Sequence, residues 1–335
     1  MIEILLKEWI EQIKYYIHLI ADYSIKESQV GAVLDDVLNL SGKMFRSKLL
    51  LLCAFLGSNW KNNKEKICKL AAMVELTHLA SLIHDDIVDD SPYRRGKVSI
   101  QGKYGKDAAV FAGDFLMARI FYYGAVENLN EAVSILSKTV EYMCIGEIEQ
   151  DLCRYQEDIS ENKYFENIER KTAVLFQAAS YIGAKESGCS EEIIQKLELF
   201  VKNLGLMFQL KDDILDFTSN SKELGKETHK DFQNGIYTFP VIMALKNPKA
   251  REVLLPIMRK NKEEKLSLAE ILQLQSYIIQ FGGIEASYEK IKYLSTINRQ
   301  LIKELGQNSE ITVYLEKMLN DLEVEKWKII ILQQN

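Results

Sequence analysis

Leu79-Ala80-Ser81-Leu82-Ile83-His84-Asp85-Asp86-Ile87-Val88-Asp89-Asp90 closes a long apolar run, Ile67–Val88, in a cluster of acids. The run has helical rather than alternating periodicity. Asp85 and Asp89 are four residues apart, so a helix sets them on one face with Asp86 beside them. Like charges so placed repel, and more strongly where water is scarce. Because they end an apolar run, partial burial is expected, and with it a positive partner. Carboxylate oxygens without His or Cys suit a hard cation, Mg²⁺ first.

The same spacing returns in Gln209-Leu210-Lys211-Asp212-Asp213-Ile214-Leu215-Asp216. One such cluster reads equally well as a solvated helix end. Two copies of Asp-Asp-x-x-Asp, both embedded in apolar helix, point to a ligand. If the two helices face each other, six carboxylates line one cavity. That is too much negative charge for a structural core, and it suits divalent ions gripping a diphosphate.

Outward from these motifs, helical periodicity continues: residues 2–24, Lys48–Phe55, Asp107–Tyr123, Glu131–Arg154, Lys163–Gly183, Glu191–Phe217 and Thr238–Leu245. The C-terminal third is more charged and amphipathic, as outer helices are. Loops are expected near residues 40–43, 91–106 and 218–237. No useful strand pattern, linker or solenoid repeat is present. Only 4 prolines occur in 335 residues, which fits an all-α chain. With 47% hydrophobic residues a sizeable core is available, and one compact helical domain over residues 1–335 is expected.

The net charge of −6, with both signs mixed along the chain, argues against nucleic acid as the partner. Five scattered cysteines, Cys53, Cys68, Cys144, Cys153 and Cys189, read as buried free thiols of a reducing cytosol. The charged N-terminus is not a secretory signal. The apolar stretch near Phe111–Ala125 is broken by Asp114 and Arg119, so no membrane span is expected.

The chain resembles the trans-prenyl (polyprenyl) diphosphate synthases, most closely the catalytic subunit of bacterial hexaprenyl and heptaprenyl diphosphate synthases. The likeness runs from about Ser41 to Pro248. It is carried by Gly42-Lys43-x-x-Arg46, Glu75-x-x-His78 with the acidic stretch after it, Arg94-Arg95-Gly96 and Gly113-Asp114. Further on come Gly146-Glu147-x-x-Gln150, Lys171-Thr172-Ala173, the second acidic stretch, Gly225-Lys226 and Thr238-x-Pro240. Each element alone is weak; their presence together and in order is specific.

The resemblance implies the isoprenoid synthase fold, a helical bundle around a central cavity. It implies that an allylic diphosphate ionises, isopentenyl diphosphate attacks the cation, and a proton is then lost. On the matching positions Asp85, Asp86, Asp89, Asp212, Asp213 and Asp216 would bind about two or three Mg²⁺ ions. Asp85, Asp89, Lys171 and Asp212 would carry the chemistry. Lys171, Thr172, Gln209, Lys226 and Arg94 would hold the allylic diphosphate. Lys43, Arg46, His78 and Arg95 would hold isopentenyl diphosphate. Taken alone, each has a plainer reading: solvated loop charges for Lys43, Arg46, Arg94 and Arg95, and a core histidine for His78. His84 is assigned to structure, and Cys144 and Cys153 to packing.

In such enzymes the helix turn before the first acidic motif walls the pocket for the growing chain. Here those positions, Thr77, Ala80 and Ser81, are small. Thr77, Ser81, Asp85 and Asp89 share one helix face, each step advancing about 6 Å. A small-residue lane of this kind implies a hexaprenyl to heptaprenyl product; its plainer reading is close helix packing.

The chain departs from the pattern at Ser41 and Ser47 around Gly42-Lys43, at Val98, and at Ile236, where a diphosphate-holding lysine is usual. The C-terminus has few basic residues. These departures favour a dimer with an unlike small subunit over a self-sufficient short-chain synthase. A class I terpene cyclase is the first competing reading, and a non-catalytic subunit the second. The intact second motif and the Lys43/Arg46 pair speak against the cyclase, and retention of both motifs against the subunit. A cytoplasmic enzyme, with transient membrane association for product release, is expected.

Overall fold

The segment Ile67–Ile83 is apolar but for Lys69, Glu75, Thr77, His78 and Ser81, and a helix with so few polar positions must be covered over most of its surface. In the computed structural model, which describes residues 2–22, 28–40, 42, 44–94, 96–218, 230–306 and 309–323, it is the middle of a 25-residue helix. In chain order the elements begin with α1 (Ile2–Ile20), α2 (Gln29–Leu38), α3 (Phe45–Ala54) and α4 (Lys64–Val88). A two-residue antiparallel ribbon follows, β1 (Tyr93–Arg94) with β2 (Lys97–Val98), then α5 (Ile100–Tyr104), α6 (Lys106–Val126) and α7 (Asn130–Leu152). Next come α8 (Glu161–Ile168), a π-helical turn (Glu169–Ala173), α9 (Val174–Glu186) and α10 (Glu191–Thr218). The chain continues through α11 (Lys230–Gln233), α12 (Phe239–Ala244), α13 (Pro248–Glu263), α14 (Leu268–Gln280), α15 (Gly283–Leu305) and α16 (Glu310–Asn320). The all-α reading holds.

Two compact units are distinguished. The first comprises Met1–Glu141, Leu175–Val201 and Leu305–Leu315; the second comprises Tyr142–Val174, Lys202–Glu304 and Glu316–Asn335. In the first unit α1, α3 and α6 all pack on α4. Trp9, Ile13, Ile17 and Ile20 form the buried stripe of α1. Trp9 meets Phe55 at 5.1 Å and Trp60 at 5.8 Å between ring centroids, closing an aromatic cluster at one end of the core. In the second unit the buried Asn203 donates to Asn298 Oδ1 at 2.9 Å, fixing α10 against α15. Burying the two amides is tolerable because each satisfies the other.

Some expectations change. The loop foreseen at 91–106 holds the β1–β2 ribbon and α5, since Gly96 at φ 77° lets the chain reverse and Ser99 caps α5 by accepting from the Gly102 amide. The helix foreseen over Lys163–Gly183 is interrupted by the π-helical turn. By length and composition α4 and α6 do reach what a membrane span needs, which the charge-broken pattern had argued against. For α4 that apolarity is spent on the core, with 72% of the relevant window buried; for α6 the figure is 39%. Cys53 and Cys68 are buried as expected, whereas Cys153 and Cys189 are half-buried and Cys144 is exposed.

Trp9→Ala should empty the aromatic cluster and cost about 3–5 kcal/mol, as large aromatic truncations do. A thermal melt followed by circular dichroism checks this, with a clear fall in midpoint and an unchanged helical spectrum at low temperature.

Candidate active site

α4 stops directly after its acidic motif, and the sequence shows how. Asp90 takes a left-handed conformation, φ 46°, which Asp tolerates better than most residues. Ser91 N–H then bonds the Asp86 carbonyl at 2.9 Å and Asp90 N–H the Ile87 carbonyl at 3.2 Å. These are the two bonds of a Schellman stop. Asp85, Asp86, Asp89 and Asp90 therefore crowd a helix C-terminus, which already carries partial negative charge.

The four acids are not equivalent. Asp86 is 3% exposed, and both its carboxylate oxygens accept from Arg94 Nε, at 2.8 and 2.9 Å. Gln101 Nε2 donates to its backbone carbonyl, and Arg94 Nη2 to Leu82 O at 3.3 Å. Lys106 meets Asp90 at 2.9 Å. Asp85 is partly exposed and Asp89 exposed, one helical turn apart.

The second motif repeats this division. Asp213 is 1% exposed; Tyr164 Oη donates to its Oδ2 at 2.6 Å and Gln209 Nε2 to its Oδ1 at 3.0 Å. Burial pushes its carboxyl up to about 7, against the pull of the two donors. Burial, and then the nearby Asp213 charge, holds the Tyr164 phenol well above its ordinary value. Asp212 is exposed and Asp216 partly exposed, again one turn apart.

Lys171 and Thr172 lie on the π-helical turn, whose signature bond runs from Val174 N–H to the Glu169 carbonyl. The turn is pressed between two glycines. A Cβ on Gly146 of α7 would lie 3.0 Å from Lys171 N, and one on Gly205 of α10 would lie 2.7 Å from Ala173 Cα. Thr172 Oγ1 donates to Gln209 Oε1 at 3.0 Å, and Lys171 Nζ pairs with Glu147 at 2.9 Å. The turn thus sets a cation and a hydroxyl beside the second acidic motif, within the second unit.

The other expected residues fall as follows. Arg46 lies in the first turn of α3, with its guanidinium 4.6 Å from the Phe176 ring. Met44, just before it, has φ 51°, a costly conformation for a residue with a Cβ. His78 is half-buried on α4. Thr77 and Ala80 are 0% exposed; the Thr77 hydroxyl is tied to Met73 O at 2.9 Å, and that of half-exposed Ser81 to His78 O at 2.8 Å. His84 Nε2 lies 3.3 Å from Asp114, over Gly113, where any Cβ would strike the ring. Lys43, Arg95 and Lys226 lie outside the described residues. Tyr164 and Glu147 were not foreseen in these roles. Glu147 stands in a motif noted without an assignment, and nothing in the spacing singles out Tyr164.

Among the described residues no three His, Cys, Asp or Glu side chains close into a ready cation cage. The paired carboxylates of each motif nevertheless fit Mg²⁺, which takes one or two carboxylates and completes its shell with water and phosphate oxygens.

A polyprenyl synthetase family model matches residues 27–275. The chain belongs to that family. It is 34% identical over 265 residues to heptaprenyl diphosphate synthase component 2 of Geobacillus stearothermophilus, covering 78% of this chain and 80% of that one. The structure resembles heptaprenyl diphosphate synthase from Staphylococcus aureus, with TM-score 0.82, 26% identity, and 95% and 97% of the two chains covered. It also resembles a polyprenyl synthase from Caulobacter crescentus CB15 complexed with calcium and isoprenyl diphosphate, with TM-score 0.85, 28% identity and 95% of each chain covered. The fold is therefore the isoprenoid synthase fold, and the chain is a prenyltransferase of the polyprenyl diphosphate synthase type.

Gly205→Val should push α10 and the π-helical turn apart, at about 1–3 kcal/mol for overpacking. Calorimetry with inorganic diphosphate and Mg²⁺ should show weakened binding, alongside a lowered melting midpoint.

Proposed function

We propose that this chain condenses isopentenyl diphosphate onto an allylic diphosphate, farnesyl diphosphate in particular, and carries the product to hexaprenyl or heptaprenyl length. The reading is carried by the division of labour in both acidic motifs: the middle carboxylate is locked by protein donors, and the two flanking ones are presented a helical turn apart. That pattern suits cation-mediated capture of a polyanion and makes no sense as core.

Within this reading Asp85, Asp89, Asp212 and Asp216 hold the ions, about two or three of them. Magnesium, when bound, supplies the positive charge that stabilises the departing diphosphate. Lys171 and Thr172, set by the π-helical turn, contact the allylic diphosphate together with Gln209, Lys226 and Arg94. Arg94 reaches it already oriented by Asp86. Arg46, His78, Lys43 and Arg95 hold isopentenyl diphosphate; arginine forks match phosphate geometry. Ile236, where a lysine is usual, makes one contact fewer.

The product length rests on the small Ser81, half-exposed one helical turn before Asp85, since Thr77 and Ala80 are covered. We assign assembly into a dimer to α6, whose Phe111, Tyr122 and Val126 are 72%, 60% and 58% exposed. The "component 2" in the Geobacillus relative's name supports an unlike subunit as the second member. The enzyme works in the cytoplasm, meeting a membrane when it releases product.

The test incubates the purified chain with Mg²⁺, farnesyl diphosphate and labelled isopentenyl diphosphate, and resolves product lengths. Long products are expected, from the chain alone or with a co-expressed small subunit, with Asp85→Ala and Asp212→Ala each reducing the rate by about 10²-fold or more. Hydrocarbon formed without isopentenyl diphosphate would instead reveal a cyclase. Activity that returns only with a co-expressed small subunit would establish the two-component form. Ser81→Phe should shorten the product by at least one isoprene unit on the same chromatogram.

A further inference from the structure

Tyr164 lies on α8, buried, with its ring packed against Phe165 and Phe239 at centroid distances of 5.2 and 5.4 Å. Its hydroxyl is the first member of a continuous chain of hydrogen bonds. Tyr164 Oη donates to Asp213 Oδ2 at 2.6 Å, Gln209 Nε2 donates to Asp213 Oδ1 at 3.0 Å, and Thr172 Oγ1 donates to Gln209 Oε1 at 3.0 Å.

Each link fixes the next. A carboxylate held at only one oxygen can rotate about its terminal torsion; donors on both oxygens stop it. The fixed Oδ1 then dictates which end of the Gln209 amide faces Asp213, because only its nitrogen can donate there. The amide oxygen is thereby turned toward Thr172, and this sets the hydroxyl beside Lys171. Asp213 is one residue from Asp212 on the same helix, so locking one also holds the α10 backbone that presents the other.

We propose that Tyr164 is a positioning residue that, through Asp213 and Gln209, orients Thr172 and the second acidic motif toward the allylic diphosphate, and that Asp213 itself does not ligate a cation. This rests on the function proposed above. It accounts for a buried tyrosine hydroxyl being directed at a motif that would otherwise be given over wholly to metal. It also makes α8, which carries none of the proposed substrate-binding residues, part of the binding apparatus.

Tyr164→Phe keeps the ring and removes only the donor. The expected result is a KM for farnesyl diphosphate raised about tenfold, the effect of one hydrogen bond to a charged group, with KM for isopentenyl diphosphate within about twofold of wild type. Calorimetry with inorganic diphosphate and Mg²⁺ should show the same weakening, so the readout does not depend on turnover. Asp213→Asn provides the second arm: the Mg²⁺ concentration for half-maximal diphosphate binding should stay within about twofold, whereas Asp212→Asn should raise it more than about tenfold. Unchanged diphosphate affinity in Tyr164→Phe, equal weakening for both substrates, or a Mg²⁺ shift in Asp213→Asn matching that of Asp212→Asn would overturn the proposal. Wild-type protein that binds no diphosphate with Mg²⁺ would overturn the function itself, and this inference with it.

Discussion

A carboxyl group taken out of water must be given hydrogen-bond partners for both oxygens, or it will not stay in place. The chain meets this demand twice, with different chemistry. Asp86 is served by an arginine from the β1–β2 ribbon, and Asp213 by a phenol and an amide. Because those two acids are secured from within, their neighbours on the same helices project outward in a fixed register. The presented pairs, Asp85 with Asp89 and Asp212 with Asp216, inherit their geometry from buried partners rather than from each other. Crowding acids at the C-terminal end of α4 costs stability in the bare protein.

Close packing supplies the second constraint. The π-helical turn can sit where it does because Gly146 and Gly205 leave no side chain in its way. Gly113 does the same for His84. Motif glycines are thus spacing devices in this fold, and the functional side chains beside them are placed by the absence of Cβ atoms.

Much of this was legible in the sequence. Periodicity identified the helices, since an apolar stretch such as Ile67–Ile83 has few ways to be buried. The repeated acidic spacing marked the candidate site. Four things were not legible. Spacing places Asp86 and Asp89 on nearly the same footing, and only the tertiary partner, Arg94, separates an interior acid from a presented one. The pairing of Glu147 with Lys171 joins positions on different helices and has no local signature. Thr77 and Ala80 read as an open lane, but the structure shows both wholly covered, with the Thr77 hydroxyl turned back on its own helix. The short ribbon at residues 93–98 escaped notice because two-residue strands carry no alternation to detect.

The π-helical turn has a further consequence. It holds one residue more than an α-helical turn would, so the angular phase of the helix slips by about 100° across it. Counting by 3.6 from Tyr164 therefore misassigns the face of every residue beyond Ala173. A helical wheel drawn through the whole stretch mixes two frames. Seen this way, the turn is a one-residue vernier. It sets the face of α8 that carries Tyr164 out of step with the faces of the helix that follows.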